Sequence, residues 1–143
     1  MATDPFDLER FVGAQAPAIA TVRAELAQGR KLSHWMWFVF PQIEGLGASA
    51  MARRYALHSL DEAKEYAAHP VLGARLRECT KLVLTVRGRT VHEIFGAPDD
   101  LKFHSCMTLF AQAVPEEPVF REALTRCFAG REDTFTLQRL AVP

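Results

Sequence analysis

Residues 33–42 read Ser33-His34-Trp35-Met36-Trp37-Phe38-Val39-Phe40-Pro41-Gln42, and whether this run is helix or strand decides the fold. It holds both tryptophans of the chain. Aromatic side chains of this size are the largest apolar contributors to a core, so most of the run goes inward. Ser33, His34, Gln42 and the nearby Lys31 are polar and need partners or water. A core segment interleaved with polar groups is a natural site wall. The flanking segments have helical spacing and no partner strand is evident, so the run is expected to be a short helix over residues 34–40. Ser33 stands where a cap belongs, and Pro41 stops the helix, since the residue before proline avoids helical angles.

Upstream, Asp4-Pro5 opens a first helix carrying Leu8, Phe11, Val12 and Gln15. A second begins near Pro17, carries Ile19, Val22 and Leu26, and ends at Gly29. Downstream, Gly45-Leu46-Gly47 is a flexible turn without the further glycine and preceding strand of a dinucleotide loop. A short helix is expected over residues 49–57. Ser59-Leu60-Asp61-Glu62 fits a capping box, with Glu62 reaching back to the cap amide, and Thr90-Val91-His92-Glu93 fits a second. A helix from Pro70 presents Leu72, Leu76, Cys79 and Val83. Pro98-Asp99-Asp100 starts another, with acids in the first turn where the positive end of the helix dipole favours them. Pro118 begins a further helix, and Asp133 caps the last. No alternating pattern of any length appears. These signals agree on an all-α fold, a single compact multihelical domain of short helices spanning residues 1–143.

Composition narrows the function. Seventeen basic residues balance seventeen acidic ones, so no global field favours nucleic acid or an anionic membrane. No apolar run approaches a membrane span, and the N-terminus lacks the basic and apolar regions of a signal peptide. Three cysteines with no CxxC spacing argue against a disulfide framework or zinc site and for a cytoplasmic protein. Each thiol is expected as a small buried apolar group. The histidines show no metal-ligand spacing, so no metal and no cofactor is expected.

Three groups of residues carry candidate chemistry. Lys31, Ser33 and His34 lie beside Trp35 and Trp37; histidine can serve as acid or base near neutral pH, and an indole face can stack on a base or sugar. In Asp99-Asp100-Leu101-Lys102-Phe103-His104-Ser105, helical spacing places Lys102 and Ser105 on one side and allows Asp99 to pair with Lys102. Ser105 suits either a site wall or a bond back to the preceding turn. Arg53-Arg54-Tyr55 offers guanidinium groups that clamp phosphate or carboxylate.

The stretches Asp4-Pro5-Phe6-Asp7-Leu8-Glu9-Arg10-Phe11-Val12, Lys31 through Gln42, His69-Pro70-Val71-Leu72-Gly73-Ala74-Arg75-Leu76, Ile94-Phe95-Gly96, Asp100-Leu101-Lys102 and Ser105-Cys106-Met107-Thr108-Leu109-Phe110 together resemble the DUF1810 family. The resemblance covers nearly the whole chain and implies a small, mainly helical, cytosolic bacterial protein. The calpastatin-like label sometimes given to this family does not suit a chain that can bury a real core, because calpastatin segments are disordered. One departure is His104-Ser105-Cys106, where small residues such as Ser-Ser are expected. Shorter stretches, Glu62-Ala63, Met107 to Phe110 and Phe120-Arg121-Glu122-Ala123-Leu124, resemble the NADAR family of helical hydrolases of ADP-ribose-type N-glycosidic bonds.

The expectation is a domain that binds or hydrolyses a nucleotide or ADP-ribose-type metabolite. His34 and Asp100 are the acid/base candidates, and Lys31, Trp37, Gln42, Arg54, Lys102 and Ser105 the ligand-binding ones. This reading requires the aromatic stretch and the helix from Asp99 to meet at one hollow. The alternative is a non-enzymatic interaction module. Oligomeric state is left open.

Overall fold

The computed structural model describes residues 3–141. Among them run ten helices: α1 (Glu9–Gln15), α2 (Ile19–Ala27), α3 (Met36–Val39), α4 (Ala50–Arg54), α5 (Leu60–Ala68), α6 (Leu72–Thr85), α7 (Val91–Phe95), α8 (Asp99–Ala113), α9 (Pro118–Phe128) and α10 (Thr134–Leu140). The only ladder-like pairing among the described residues is an isolated parallel bridge between Ile43 and Leu57. No helix among them is long and apolar enough to cross a membrane.

Helix α8 is the hub, packed against α5, α7, α9 and α10. From Phe103 to Ala113 it buries residues on every side, including the polar Ser105 and Thr108. A helix apolar around its circumference is one enclosed by others. Phe103 meets Phe40 edge-on at 5.0 Å and stacks on Phe95 at 4.9 Å, which ties α8 to the aromatic stretch and to α7. Between α5 and α6 the chain turns so closely that a Cβ on Gly73 would lie 2.1 Å from the carbonyl oxygen of Ala67; only glycine fits there.

The aromatic stretch is helical, but only over the single turn of α3. Ser33 does not cap it. The residue in the cap position is Trp35, whose side chain makes no capping bond, and the Ser33 hydroxyl is given instead to Glu25 of α2, at 2.6 Å. The expected helix over residues 49–57 is confined to α4: beyond it the Leu57 N–H donates to the Gln42 carbonyl and the Leu57 carbonyl accepts from Glu44 N–H. The Thr90–Glu93 capping box is complete. At Ser59 only half of the expected box forms. The serine accepts from Glu62 N–H, whereas the Glu62 carboxylate turns to the His58 backbone amide, the His58 ring and Arg10.

Cys79 and Cys106 are buried and Cys127 is partly so. Burial pushes the Cys79 thiol up to about 12 and raises the other two, so none is an activated nucleophile.

Candidate functional site

Glu25 organises the polar side of the aromatic stretch. Its carboxylate accepts from the Leu32 and Ser33 amides, the Ser33 hydroxyl and the Trp35 indole, the last at 2.9 Å. Burial alone would raise its pKa; the Ser33 hydroxyl, the two amides and the indole outweigh that and bring it down to about 2. Four donors on one buried carboxylate leave Ser33 and Trp35 fully occupied, and Trp35 is 1% exposed.

Lys31 reaches the other way. Its ammonium lies 2.9 Å from Asp99 Oδ2, donates to the Ser33 carbonyl at 2.6 Å and sits 5.1 Å from the Trp35 ring centre. Asp99 Oδ1 is 3.5 Å from Lys102, and Lys102 stands 5.3 Å from the ring centre of Trp37. Two ammonium groups thus share one carboxylate, and the cluster is left cationic. The aromatic stretch and the start of α8 meet through this chain of contacts, as a shared site requires.

Beside that junction opens a hollow of about 520 Å³. Phe40 and Tyr55 form apolar wall, and Trp37, Gln42, Arg53 and Lys102 bring polar groups to it. Arg139 of α10 enters from the far end of the chain. Its Nε donates to the Glu44 carbonyl at 3.0 Å, and its guanidinium lies across Gly45, where a Cβ would come within 2.5 Å of it. Gly45 also has φ +91°, a conformation that side chains disfavour. Glycine at this position therefore both makes the turn and admits the arginine.

Several of these wall groups have no hydrogen-bonding or ionic partner among the described residues. The Trp37 indole, the Gln42 amide, the Tyr55 hydroxyl and the Arg53 guanidinium make no side-chain hydrogen bond or ion pair among the described residues, although all four residues line the hollow. No side-chain nitrogen or oxygen that is truly buried goes unpaired among those residues. Each of these unpaired polar atoms therefore keeps some exposure to solvent.

His58 stands on the same wall. Its Nδ1 is 3.1 Å from Glu62, itself 1% exposed and 3.4 Å from Arg10. Its Nε2 is 3.8 Å from the Glu44 carboxylate. The ring thus stands between two carboxylates, Glu62 buried behind it and Glu44 exposed beside it.

A second hollow, of about 620 Å³, adjoins the first across the 45–48 turn. The two share Gln42, Gly45, Gly47, Ala48, Ala52 and Lys102. Leu46, Pro98, Leu101 and Phe135 make the second one apolar, and Ser105 and Asp133 lie in its wall. Ser105 donates to the Leu101 carbonyl at 3.1 Å and lies 3.2 Å from Asp133 Oδ2, so it is both back-bonded and part of a wall.

The candidate residues divide accordingly. Trp37, Gln42 and Lys102 line the first hollow, and Gln42, Lys102 and Ser105 the second. Lys31 is one contact behind the wall, through Asp99. Arg54 lines a separate hollow with Arg10 and His58, while its neighbour Arg53 faces the main one; one residue along a helix is a rotation of about 100°. His34 is exposed and lines neither hollow. Asp100 faces His92, 3.1 Å away, and accepts from the Leu101 amide. Neither Arg139 nor His58 stands out in the sequence. Nothing near Arg139 in the chain signals a site, and His58 has meaning only beside Glu62 and Glu44. Among the described residues no group of three or more His, Cys, Asp or Glu is placed to hold a metal ion.

Comparison with known proteins agrees with this fold. A family model described as "Protein of unknown function (DUF1810)" matches residues 5–140. The crystal structure of the conserved hypothetical protein Rv1873 from Mycobacterium tuberculosis is similar, with 55% identity and a TM-score of 0.95, covering 98% of this chain and 100% of that one. A search of curated proteins finds no match.

Proposed function

The chain belongs to the DUF1810 family, whose description assigns no activity, and from its cleft we propose that it binds a small anionic metabolite of the nucleotide or ADP-ribose type. One observation carries this reading: Lys102, Arg53 and Arg139 all line the hollow beside Trp37, and neither arginine has a carboxylate partner among the described residues. Guanidinium groups of this kind grip phosphate oxygens, and an indole offers a face for a ring. A hollow of this size suits a metabolite. For hydrolysis of such a ligand, the acid/base group on the wall is His58, while His34 and Asp100 lie off it.

The test is thermal unfolding with pyrophosphate, AMP and ADP-ribose. A ligand at a hundred times its Kd stabilises the native state by about 2.7 kcal/mol. Lys102→Met and Arg139→Gln should remove the shift while keeping the unliganded melting temperature, and His34→Ala should retain it. No shift with any of the three ligands, or a shift that survives both cleft substitutions, rejects the proposal.

A further inference from the structure

The two adjoining hollows differ in chemistry but are not separate sites. The first is net cationic, with Arg53, Arg139 and Lys102 against the one carboxylate of Glu44; the second is largely apolar, and Lys102 and Gln42 stand where they join. Four large hydrophobic residues are exposed among the described residues, and two of them, Leu101 at 64% and Phe135 at 66%, line this second hollow.

Helix α10 joins the two. Phe135 and Arg139 are four residues apart and so lie on one side of it, the phenyl group on the apolar hollow and the guanidinium on the cationic one. The start of α10 is pinned. Asp133 Oδ2 accepts from the amide and hydroxyl of Thr136 at 3.0 and 2.6 Å, and the Asp133 amide donates to Thr108 Oγ1 at 2.8 Å. An exposed aromatic ring on an anchored backbone is a ready platform. It loses little freedom when covered, so covering it stabilises the complex.

We infer that the ligand of this cleft is two-ended, with its phosphates in the cationic hollow and an aromatic base in the apolar one, against Phe135 and Leu101. This rests on the anionic-ligand reading above and adds to it that a base is required for tight binding. Lys102 and Gln42 contact the portion that joins the two ends. Phosphate alone, or a phosphosugar, fills only half the site.

Calorimetric titration with pyrophosphate, ribose 5-phosphate, AMP and ADP-ribose tests the inference. AMP should bind about tenfold tighter than ribose 5-phosphate, the effect of one stacked base. Phe135→Ser and Leu101→Ser, both at exposed positions, should cut that ratio to about threefold or less and leave pyrophosphate affinity unchanged. If pyrophosphate binds but AMP binds no tighter than ribose 5-phosphate, the two-ended ligand is rejected and the anionic cleft stands. If none of the four binds, both are rejected. Sedimentation of the same variants supplies a further check: loss of self-association in Phe135→Ser with no change in base preference would make the apolar wall an interface between copies, and would overturn the inference.

Discussion

The Glu25 carboxylate accepts a hydrogen bond from the Trp35 indole at 2.9 Å, ten residues further along the chain. The same carboxylate takes the Ser33 hydroxyl at 2.6 Å and two main-chain amides. Helix α2 thereby holds the polar edge of the aromatic stretch, and Gln15 of α1 holds its far end, donating to the Phe38 carbonyl at 2.6 Å. Trp37 is left facing the cleft because its neighbours are pinned elsewhere.

Replacing Glu25 by Gln should therefore cost more than an ordinary surface change. The amide keeps one acceptor oxygen and sets an NH2 group against donors that are already committed. Loss of charge-assisted bonds in a buried setting costs about 2–4 kcal/mol, measurable by urea unfolding at neutral pH.

The same residue sets a pH dependence. Glu25 titrates near its ordinary value of 4.5 in the unfolded chain and at about 2 in the folded one. Between those limits the unfolded chain binds a proton that the native chain does not, so stability falls as pH drops from 4.5 toward 2. Above 4.5 the contribution is whole. It amounts to about 3 kcal/mol, since each tenfold difference in proton affinity between the two states is worth about 1.4 kcal/mol. Urea midpoints at pH 6, 4 and 3 should decline in the native protein, and Glu25→Gln should flatten the part of that decline that Glu25 causes. An unchanged slope in the variant would assign the acid sensitivity to other groups.

Gly45→Ala should lower both stability and anion affinity. The new Cβ falls within 2.5 Å of the Arg139 guanidinium, at a φ of +91°. Strain of this kind costs about 1–3 kcal/mol, and displacement of the arginine should weaken pyrophosphate binding as much as Arg139→Gln does. Titration of both variants side by side makes the comparison.

Gly73→Ala separates local propensity from packing. Within an open helix, alanine in place of glycine gains about 1 kcal/mol. Here the methyl group would lie 2.1 Å from the Ala67 carbonyl oxygen and 2.7 Å from Arg77 Nη1. The sign should reverse, to a loss of about 1–3 kcal/mol as α5 and α6 are forced apart. Thermal unfolding of the variant decides between the two signs.

Helix type and approximate position were legible in the chain because caps, prolines and the spacing of apolar residues act over a few positions, although the first helix begins at Glu9 and not at Asp4-Pro5, and α3 and α4 are shorter than expected. Thr90 with Glu93, Pro98 with Asp99, and Asp133 with Thr136 all do locally what their types suggest. Trp37, Gln42, Lys102 and Ser105 were legible as polar or amphipathic groups set in apolar surroundings. The partners were not. Glu25 and Ser33, Lys31 and Asp99, His58 with Glu62 beside Glu44, and Arg139 across Gly45 are pairs set by how helices dock, and a buried charge is satisfied by whatever donor the docking brings within about 3 Å. The chain alone thus determined an all-helical fold built around its aromatic run. Only the tertiary structure decided which of that run's polar groups are consumed in holding it and which are left open to a ligand, because hydrogen-bonding partners are assigned in three dimensions and not along the sequence.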